Sequence, residues 1–409
     1  MKALLRRRPG WVLLACIGLV ALSLRGPIVA IAPAVGVLRR ELGMSSAEAG
    51  LLTSIPVLCF ALAAPLAALV IKRFGAELAI TLTLLGVLVG VCVRSAGGAG
   101  VAMVGTVLIG LAITLGNITV PLIIRRDFPQ HRHATATGVY TAALNIGSML
   151  TSLLTAPLAD ALGWRLALAA SAVFIVAGAV SWVAAIGPRL ALRASAPEQS
   201  KEPGRPRLPG GRWIVAGLTA GFAGQAFAYY GVTAWLPTYL SEVTDMTAVQ
   251  AGAGSSLFQV LAIVGGLGVP LAARRLRTAT IAVVLGILWA AVPLGLLFAP
   301  GLWWLWTVAG GIAQGGGITT IFIGIIEFAH DNAAAGRISA VVQGVGYGFG
   351  ALSATVVGFV HTAAGSWPAP LLVILAAVLA FAGCTTFSVR SIARRAGRER
   401  AGVPEPAGS

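Results

Sequence analysis

Long apolar runs, separated by short segments that carry most of the charged residues, repeat along almost the whole chain. Each run is about 20 residues long, which is the length that an α-helix needs to cross the hydrocarbon core of a bilayer. The pattern therefore predicts an all-α membrane protein with twelve membrane-spanning helices. Their expected bounds are 11–34, 47–70, 77–94, 99–124, 134–158, 165–187, 213–238, 248–273, 278–299, 301–326, 336–361 and 368–389.

The composition agrees with this prediction and excludes a water-soluble globular protein. Hydrophobic residues make up 57% of the 409 residues, whereas charged residues make up only 10%. The formal net charge is +16, but most basic residues fall on one side of the predicted spans. This asymmetry is typical of the positive-inside rule and predicts that both termini are cytoplasmic. We therefore expect a multi-pass membrane protein with no nucleic-acid partner. The preference for Arg over Lys and the abundance of Ala and Gly favour a bacterial inner membrane. The basic residues expected in outer loops are Arg39, Arg40, Arg94 and Arg165.

The two parts of the chain contain matching segments at an offset close to 202 residues. The string GMSSAEAG, which begins at Gly43, matches DMTAVQAG, which begins at Asp245. Further on, GLAITLGNIT from Gly110 aligns with GGIAQGGGIT from Gly310. Matching segments in the same order predict a duplicated unit, here two parallel six-helix repeats. The expected parts are a first half at 1–187, a cytoplasmic linker at 188–212, a second half at 213–389 and a basic cytoplasmic tail at 390–409.

This layout resembles that of the major facilitator superfamily of secondary transporters. Three strings resemble the branch of cyanate permeases and 2-nitroimidazole transporters, namely SLRGPIVAIAP from Ser23, GNITVPLIIRRDFPQHRHATATGVYTAALNIGS from Gly116 and AWLPTYLSE from Ala234. The chain has Gly26 where branch members have Pro, and Lys72 where the superfamily usually has Asp. The resemblance implies two halves that rock around a solute site near the bilayer midplane.

Arg25 is the one formal charge near the middle of an apolar run. A charge at the bilayer centre costs roughly 2.5 to 3.5 kcal/mol, so such residues generally face a cavity or a substrate pathway. A solitary cation favours an anionic or strongly polar solute. The structural alternative is that Arg25 holds backbone carbonyls at the helix break formed by Gly26 and Pro27. The structural alternative for Asn117 is to satisfy backbone groups freed by Pro121.

Polar side chains near the middle of other predicted spans are further candidates for solute binding. Gln225 and Tyr229 are spaced i,i+4, so they project from one helical face. The same holds for Gln343 and Tyr347. For any single amide, hydrogen bonding between helices is an equally good explanation. The candidate solute-binding residues are Arg25, Asn117, Tyr140, Asn145, Gln225, Tyr229, Gln259, Gln314, Gln343 and Tyr347.

The sequence shows no signature of other chemistry. It has no Gly-x-x-x-x-Gly-Lys-Ser/Thr phosphate loop and no His, Cys and carboxylate set with metal-ligand spacing. We therefore expect no enzymatic activity, no cofactor and no metal. All thirteen acidic residues lie in loops, tails or helix ends, so the sequence leaves proton coupling open.

The expected function is secondary active transport of a small anionic or polar organic solute, such as a cyanate-like ion, a carboxylate or a nitro-aromatic, by alternating access. We expect a monomer whose partners are the solute and membrane lipids. One alternative is a proton-coupled exporter of neutral or cationic drugs or metabolites, in which His361 or a helix-end carboxylate carries the proton. The other alternative is a transporter-like sensor that no longer moves solute.

Overall fold

The computed structural model describes residues 10–129, 132–194, 211–329 and 332–400. Every helix and turn there agrees with the predicted all-α class, since no strand occurs within these ranges. The predicted linker lies outside the described residues from 195 to 210, and the predicted tail lies outside them from 401 onward.

The described helices of the first half, together with a short helix at the start of the predicted linker, lie between residues 10 and 191. They are α1 (Gly10–Val29), α2 (Ile31–Leu42), α3 (Ser46–Leu62), α4 (Ala64–Ala96), α5 (Ala99–Asp127), α6 (His133–Leu162), α7 (Trp164–Ala169), α8 (Ala172–Ile186) and α9 (Pro188–Ala191). The described helices of the second half are α10 (Arg212–Val243), α11 (Ala248–Ala272), α12 (Thr278–Phe298), α13 (Trp303–Phe328), α14 (Asn332–Ala364) and α15 (Pro368–Arg400). A short 3₁₀ turn, Pro300–Leu302, joins α12 to α13.

Ten segments of the described chain are long and apolar enough to cross a membrane. The two predicted spans outside this set correspond to α3, which is apolar but has 17 residues, and α10, which carries polar side chains along its centre. An all-helical membrane fold is thus confirmed. The count of twelve spans, the cytoplasmic termini and the division into two six-helix halves remain predictions.

Several helix bounds differ from the predicted ones. The loop expected between the second and third spans is reduced to a kink at Gly75, whose φ of 85° is readily adopted only by glycine. The helix α15 continues to Arg400, past the predicted end of the last span at residue 389. Polar residues end an apolar run without ending a helix, because the backbone hydrogen bonds of a helix form whether the side chains are polar or apolar.

The repeated strings at Gly43 and Asp245 form equivalent helix starts. The Glu48 N–H donates to Ser45 Oγ at 3.2 Å, and the Ser45 N–H donates to Glu48 Oε2 at 2.8 Å. Thr247 and Gln250 make the same reciprocal pair at the start of α11, at 3.3 and 3.0 Å. Each is a capping box, which satisfies backbone N–H groups that a helix start leaves free. The sequence repeat at this point therefore has a structural cause.

The two halves touch through α3 against α14 and through α6 against α11. The contacts are close near the starts of α3 and α11, where glycines bring backbones together. A Cβ added at Gly50 would lie 2.7 Å from the carbonyl oxygen of Ala354, and one added at Gly252 would lie 2.9 Å from that of Ser152. The hydroxyls of Ser54 and Thr355 are 3.2 Å apart in the same region. The bundle is therefore closed at the end away from α9 and the end of α15.

Candidate solute-binding site

Arg25, on α1, lies against the ring of Tyr229 on α10, with Cζ 5.0 Å from the ring centroid. Tyr140, Tyr230 and Tyr347 also lie within electrostatic range of the guanidinium. The four phenols come from α6, α10 and α14, so residues of both halves surround the charge. Such a cation–π arrangement orients the guanidinium without neutralising it.

The Arg25 guanidinium has no acceptor among the described residues. The side chain is partly accessible, although it lies well inside α1. In the part of the chain that the structure describes, it makes no hydrogen bond and no ion pair. A cation with free donors inside a helical bundle can bind a carboxylate, nitro or cyanate oxygen through charge-assisted hydrogen bonds.

Tyr140 and Asn117 form a polar pair within the first half. The Tyr140 hydroxyl donates to Asn117 Oδ1 at 3.2 Å, which joins α6 to α5. The sequence also offers Asn117 the role of satisfying backbone groups near Pro121. The side-chain oxygen accepts from a phenol that lies within electrostatic range of Arg25.

Aromatic rings cover the space next to the charge. Tyr347 on α14 packs edge-on against Phe60 at 5.6 Å and against Phe222 at 5.2 Å between centroids. Tyr229 packs edge-on against Tyr230 at 4.8 Å and is stacked on Phe258 at 6.1 Å. The surroundings of Arg25 thus combine one positive charge with apolar ring faces, a combination suited to a small planar anion or dipole.

Gln225 is the candidate whose hydrogen-bonding capacity is most fully used by the protein. Its Nε2 donates to the backbone carbonyl of Gln314 at 2.8 Å, and its Oε1 accepts from Trp289 Nε1 at 2.7 Å. These bonds tie α10 to α13 and α12. The geometry favours the interhelical role for Gln225, even though it shares a helical face with Tyr229.

Other candidate residues have hydrogen-bonding capacity that the described residues do not use. Gln259 accepts from the Tyr229 hydroxyl at 3.4 Å and donates to Thr233 at 3.3 Å, so it supports the ring beside Arg25. Gln343 donates to Ser339 one turn away at 2.7 Å. Asn145 Oδ1 and Gln314 Nε2 are buried and have no partner among the described residues.

Arg94 is a second buried arginine, and its prediction as an outer-loop residue is wrong. Its side chain is 1% exposed, and Nη1 donates to the backbone carbonyl of Pro27. Nε and Nη2 are buried without partners in the described part of the chain. Arg94 thus binds the backbone at the break between α1 and α2, which is the structural role considered for Arg25 from the sequence. The donors of Arg25 are not used at this break.

A buried charge cluster lies where α4 and α5 meet at the other end of the first half. Arg126 Nη2 lies 2.7 Å from Oε1 of Glu77, whose side chain is 2% exposed, and Arg126 Nε lies 2.8 Å from Asp127 Oδ1. The hydrogen bond to Asp127 raises the pKa of Arg126 further above its usual range. The cluster fixes the two helices against each other.

Sequence reasoning missed the rings that enclose the site. Phe60, Phe222 and Phe258 are apolar residues within apolar runs, so no local signal separates them from lipid-facing phenylalanines. Tyr230 carried a signal, because it adjoins Tyr229 and is polar at mid-span.

The match to known protein families is extensive. Residues 13–355 match the model of the Major Facilitator Superfamily, which is most of the chain. The chain belongs to this superfamily. It is a multi-pass membrane transporter, and because its superfamily and its relatives are transporters it is not an enzyme.

This superfamily member is similar to two transporters of Escherichia coli (strain K12). It is 32% identical over 367 residues to the 2-nitroimidazole transporter of Escherichia coli (strain K12). The aligned region covers 88% of this chain and 91% of that protein. It is 24% identical over 360 residues to the cyanate transport protein CynX of the same strain, covering 85% and 90%. The resemblance predicted from the sequence strings is confirmed.

A solved structure supports the fold alone. A bacterial homologue of the human drug peptide transporters PepT1 and PepT2 has a TM-score of 0.72 at 15% identity, covering 95% of this chain and 100% of that one. At this level of identity the likeness shows a shared helix arrangement and carries no argument about the site residues.

Proposed function

We propose that this protein is a secondary active transporter that moves a small anionic or strongly polar solute by alternating access, with Arg25 as its electrostatic anchor. The proposal rests on the position of Arg25 and on the groups that surround it. It lies between the two halves, is oriented by the Tyr229 ring at 5.0 Å, and has no acceptor among the described residues. A solute oxygen would supply the missing acceptor.

The solute would contact both halves. Tyr140 and Asn117 would complete the site from the first half, with Asn145 offering a free side-chain oxygen. Tyr229, supported by Gln259, and Tyr347 would cover the solute from the second half. Gln343 and the free Nε2 of Gln314 are further donors, whereas Gln225 would act mainly by holding α10 in place.

The relatives narrow the expected solute class. One is named for 2-nitroimidazole and the other for cyanate. Both compounds are small and flat or linear, and both present electron-rich oxygen or nitrogen atoms to a donor. A guanidinium beside ring faces suits that chemistry, so we extend it to planar carboxylates and nitro-aromatics.

Alternating access agrees with the arrangement of the two halves. Their close contacts lie near the starts of α3 and α11, while Arg25 lies deeper in the bundle. A rocking motion that separates Gly50 from Ala354 would open the site to the other side of the membrane.

Solute flux into proteoliposomes tests the proposal. A panel of cyanate, small carboxylates, 2-nitroimidazole and organic cations would be measured at two imposed pH gradients, for the wild type, Arg25→Gln and Arg25→Lys. Arg165→Gln is a matched control, because Arg165 also lies over an aromatic ring, at 4.4 Å from Trp164, but is half exposed at the surface.

We expect flux of anionic or nitro solutes in the wild type and the control, and a loss of at least about tenfold in Arg25→Gln at equal incorporation. Full flux in Arg25→Gln would reject the anchor. Flux restricted to cations would favour the exporter alternative, and a folded protein that moves no solute of the panel would favour the sensor.

A further inference from the structure

A groove of about 610 Å³ lies between α12 and α15, on the outer face of the second half. Its floor is formed by small residues, since Gly286 approaches Ala382 closely and Gly383 has no atoms near the position of a Cβ. Its rims are apolar side chains that are largely exposed, among them Ile287, Leu379 and Phe387. In a membrane protein an exposed apolar face of this kind meets lipid chains.

Two arginines close one end of the groove. Arg390 and Arg394 are spaced i,i+4 on α15, so they project from the same helical face, with Ser391 beside them. Both side chains are exposed, and neither makes an ion pair with any described residue. Two free guanidinium groups next to a hydroxyl form a site for a phosphate.

The position of the arginines fits the depth of a lipid headgroup. From Leu379 to Arg390 the helix rises about 16 Å, at 1.5 Å per residue. This is roughly half of the 30 Å hydrocarbon core, and so about the reach of one acyl chain in one leaflet. The apolar part of the groove and its basic end therefore match the two parts of a single lipid.

We propose that the groove binds one anionic phospholipid of the cytoplasmic leaflet. Arg390 and Arg394 hold its phosphate, and an acyl chain lies over Gly286 and Gly383. An anionic lipid keeps the net negative charge of its phosphate, whereas a zwitterionic lipid balances it with a positive group. Because two arginines carry more charge than one phosphate neutralises, they favour the anionic lipid. The site is remote from Arg25 and does not depend on which solute is transported.

Native mass spectrometry of the purified full-length protein tests this site. Phosphatidylglycerol and phosphatidylcholine would be titrated separately into the wild type, Arg390→Gln/Arg394→Gln and Arg189→Gln/Arg193→Gln. The last variant is the charge-matched control, since Arg189 and Arg193 are also four residues apart, are exposed and lie at the start of the predicted linker. It removes equal charge without touching the groove.

We expect one tightly retained phosphatidylglycerol in the wild type and the control. Its affinity should fall roughly fivefold for each arginine removed, while phosphatidylcholine binding should change little. Equal binding of the two lipids by the wild type would overturn the proposal. So would retention of phosphatidylglycerol by the double arginine variant, or an equal loss in the control.

Gly383→Leu tests the acyl part of the groove with both arginines intact. A side chain at this position enters open space, so we expect the variant to fold normally, as judged by its size-exclusion profile. It should lose phosphatidylglycerol by at least about fivefold, because the leucine occupies the space of the acyl chain. Unchanged retention in a folded Gly383→Leu protein would contradict the placement of the chain.

Discussion

Arg94 on α4 donates a hydrogen bond to the backbone carbonyl of Pro27, 67 residues earlier in the chain. The contact ties the break between α1 and α2 to the end of the third predicted span. It also separates the roles of the two arginines inside the membrane. Arg94 holds the backbone and is 1% exposed, whereas Arg25 faces the interior between the halves.

Replacing Arg94 by leucine should lower the stability of the protein. The carbonyl of Pro27 would lose a charged donor, which costs about 1.5 to 3 kcal/mol. Arg94→Lys keeps a positive donor and should lose less. The melting temperature in detergent measures both changes, and a leucine variant more stable than the wild type would show that the desolvation of Arg94 outweighs its hydrogen bond.

Replacing Tyr229 separates its ring from its hydroxyl. Tyr229→Phe keeps the ring face beneath Arg25 and removes only a weak 3.4 Å hydrogen bond to Gln259. Tyr229→Leu removes the cation–π contact, worth about 0.5 to 2 kcal/mol, so the apparent KM for solute should rise roughly 2- to 30-fold. Proteoliposome kinetics measure this difference. Equal effects of the two substitutions would show that the ring does not orient Arg25.

A cross-link between α3 and α14 should stop transport. The hydroxyls of Ser54 and Thr355 are 3.2 Å apart, so Ser54→Cys/Thr355→Cys places two sulfurs within bonding reach. Oxidation should hold the closed end shut and abolish flux, and a reductant should restore it. The background needs the four native cysteines replaced, namely Cys16, Cys59, Cys92 and Cys384.

The single-cysteine variants control for oxidation elsewhere and should keep their flux under the same treatment. Undiminished flux in a fully cross-linked protein would show that this contact need not open during transport.

Gly265 and Gly268 lie one turn apart on α11 but should respond differently to alanine. A Cβ at Gly265 would overlap the carbonyl oxygen of Ile312 on α13, whereas a Cβ at Gly268 meets no atom. Gly265→Ala should therefore lower the free energy of unfolding by about 1 to 3 kcal/mol, the usual cost of overpacking, and so lower the melting temperature. Gly268→Ala should be neutral or slightly stabilising, since alanine is the better helix former. The opposite order would show that the two helices are less tightly packed.

The candidate site was only partly predictable from the sequence. Arg25 was identifiable because a charge within an apolar run is costly wherever the chain folds. Gln225 and Tyr229 looked equivalent, since both are polar and share a helical face. In the structure they differ. Trp289, 64 residues away, donates a hydrogen bond to the Gln225 side-chain oxygen, whereas the Tyr229 ring lies beside Arg25.

The sequence by itself determined the helical membrane class, the repeated strings at Gly43 and Asp245, and the superfamily branch. These depend on local spacing and on hydropathy, which do not require knowledge of distant contacts. The tertiary structure alone decided that Arg94 is buried, that Arg25 has no acceptor within the described part of the chain, and that Phe60 and Phe222 pack against Tyr347. The physical reason is that a polar group is free or paired according to what other helices bring to it, and those partners lie far away along the chain.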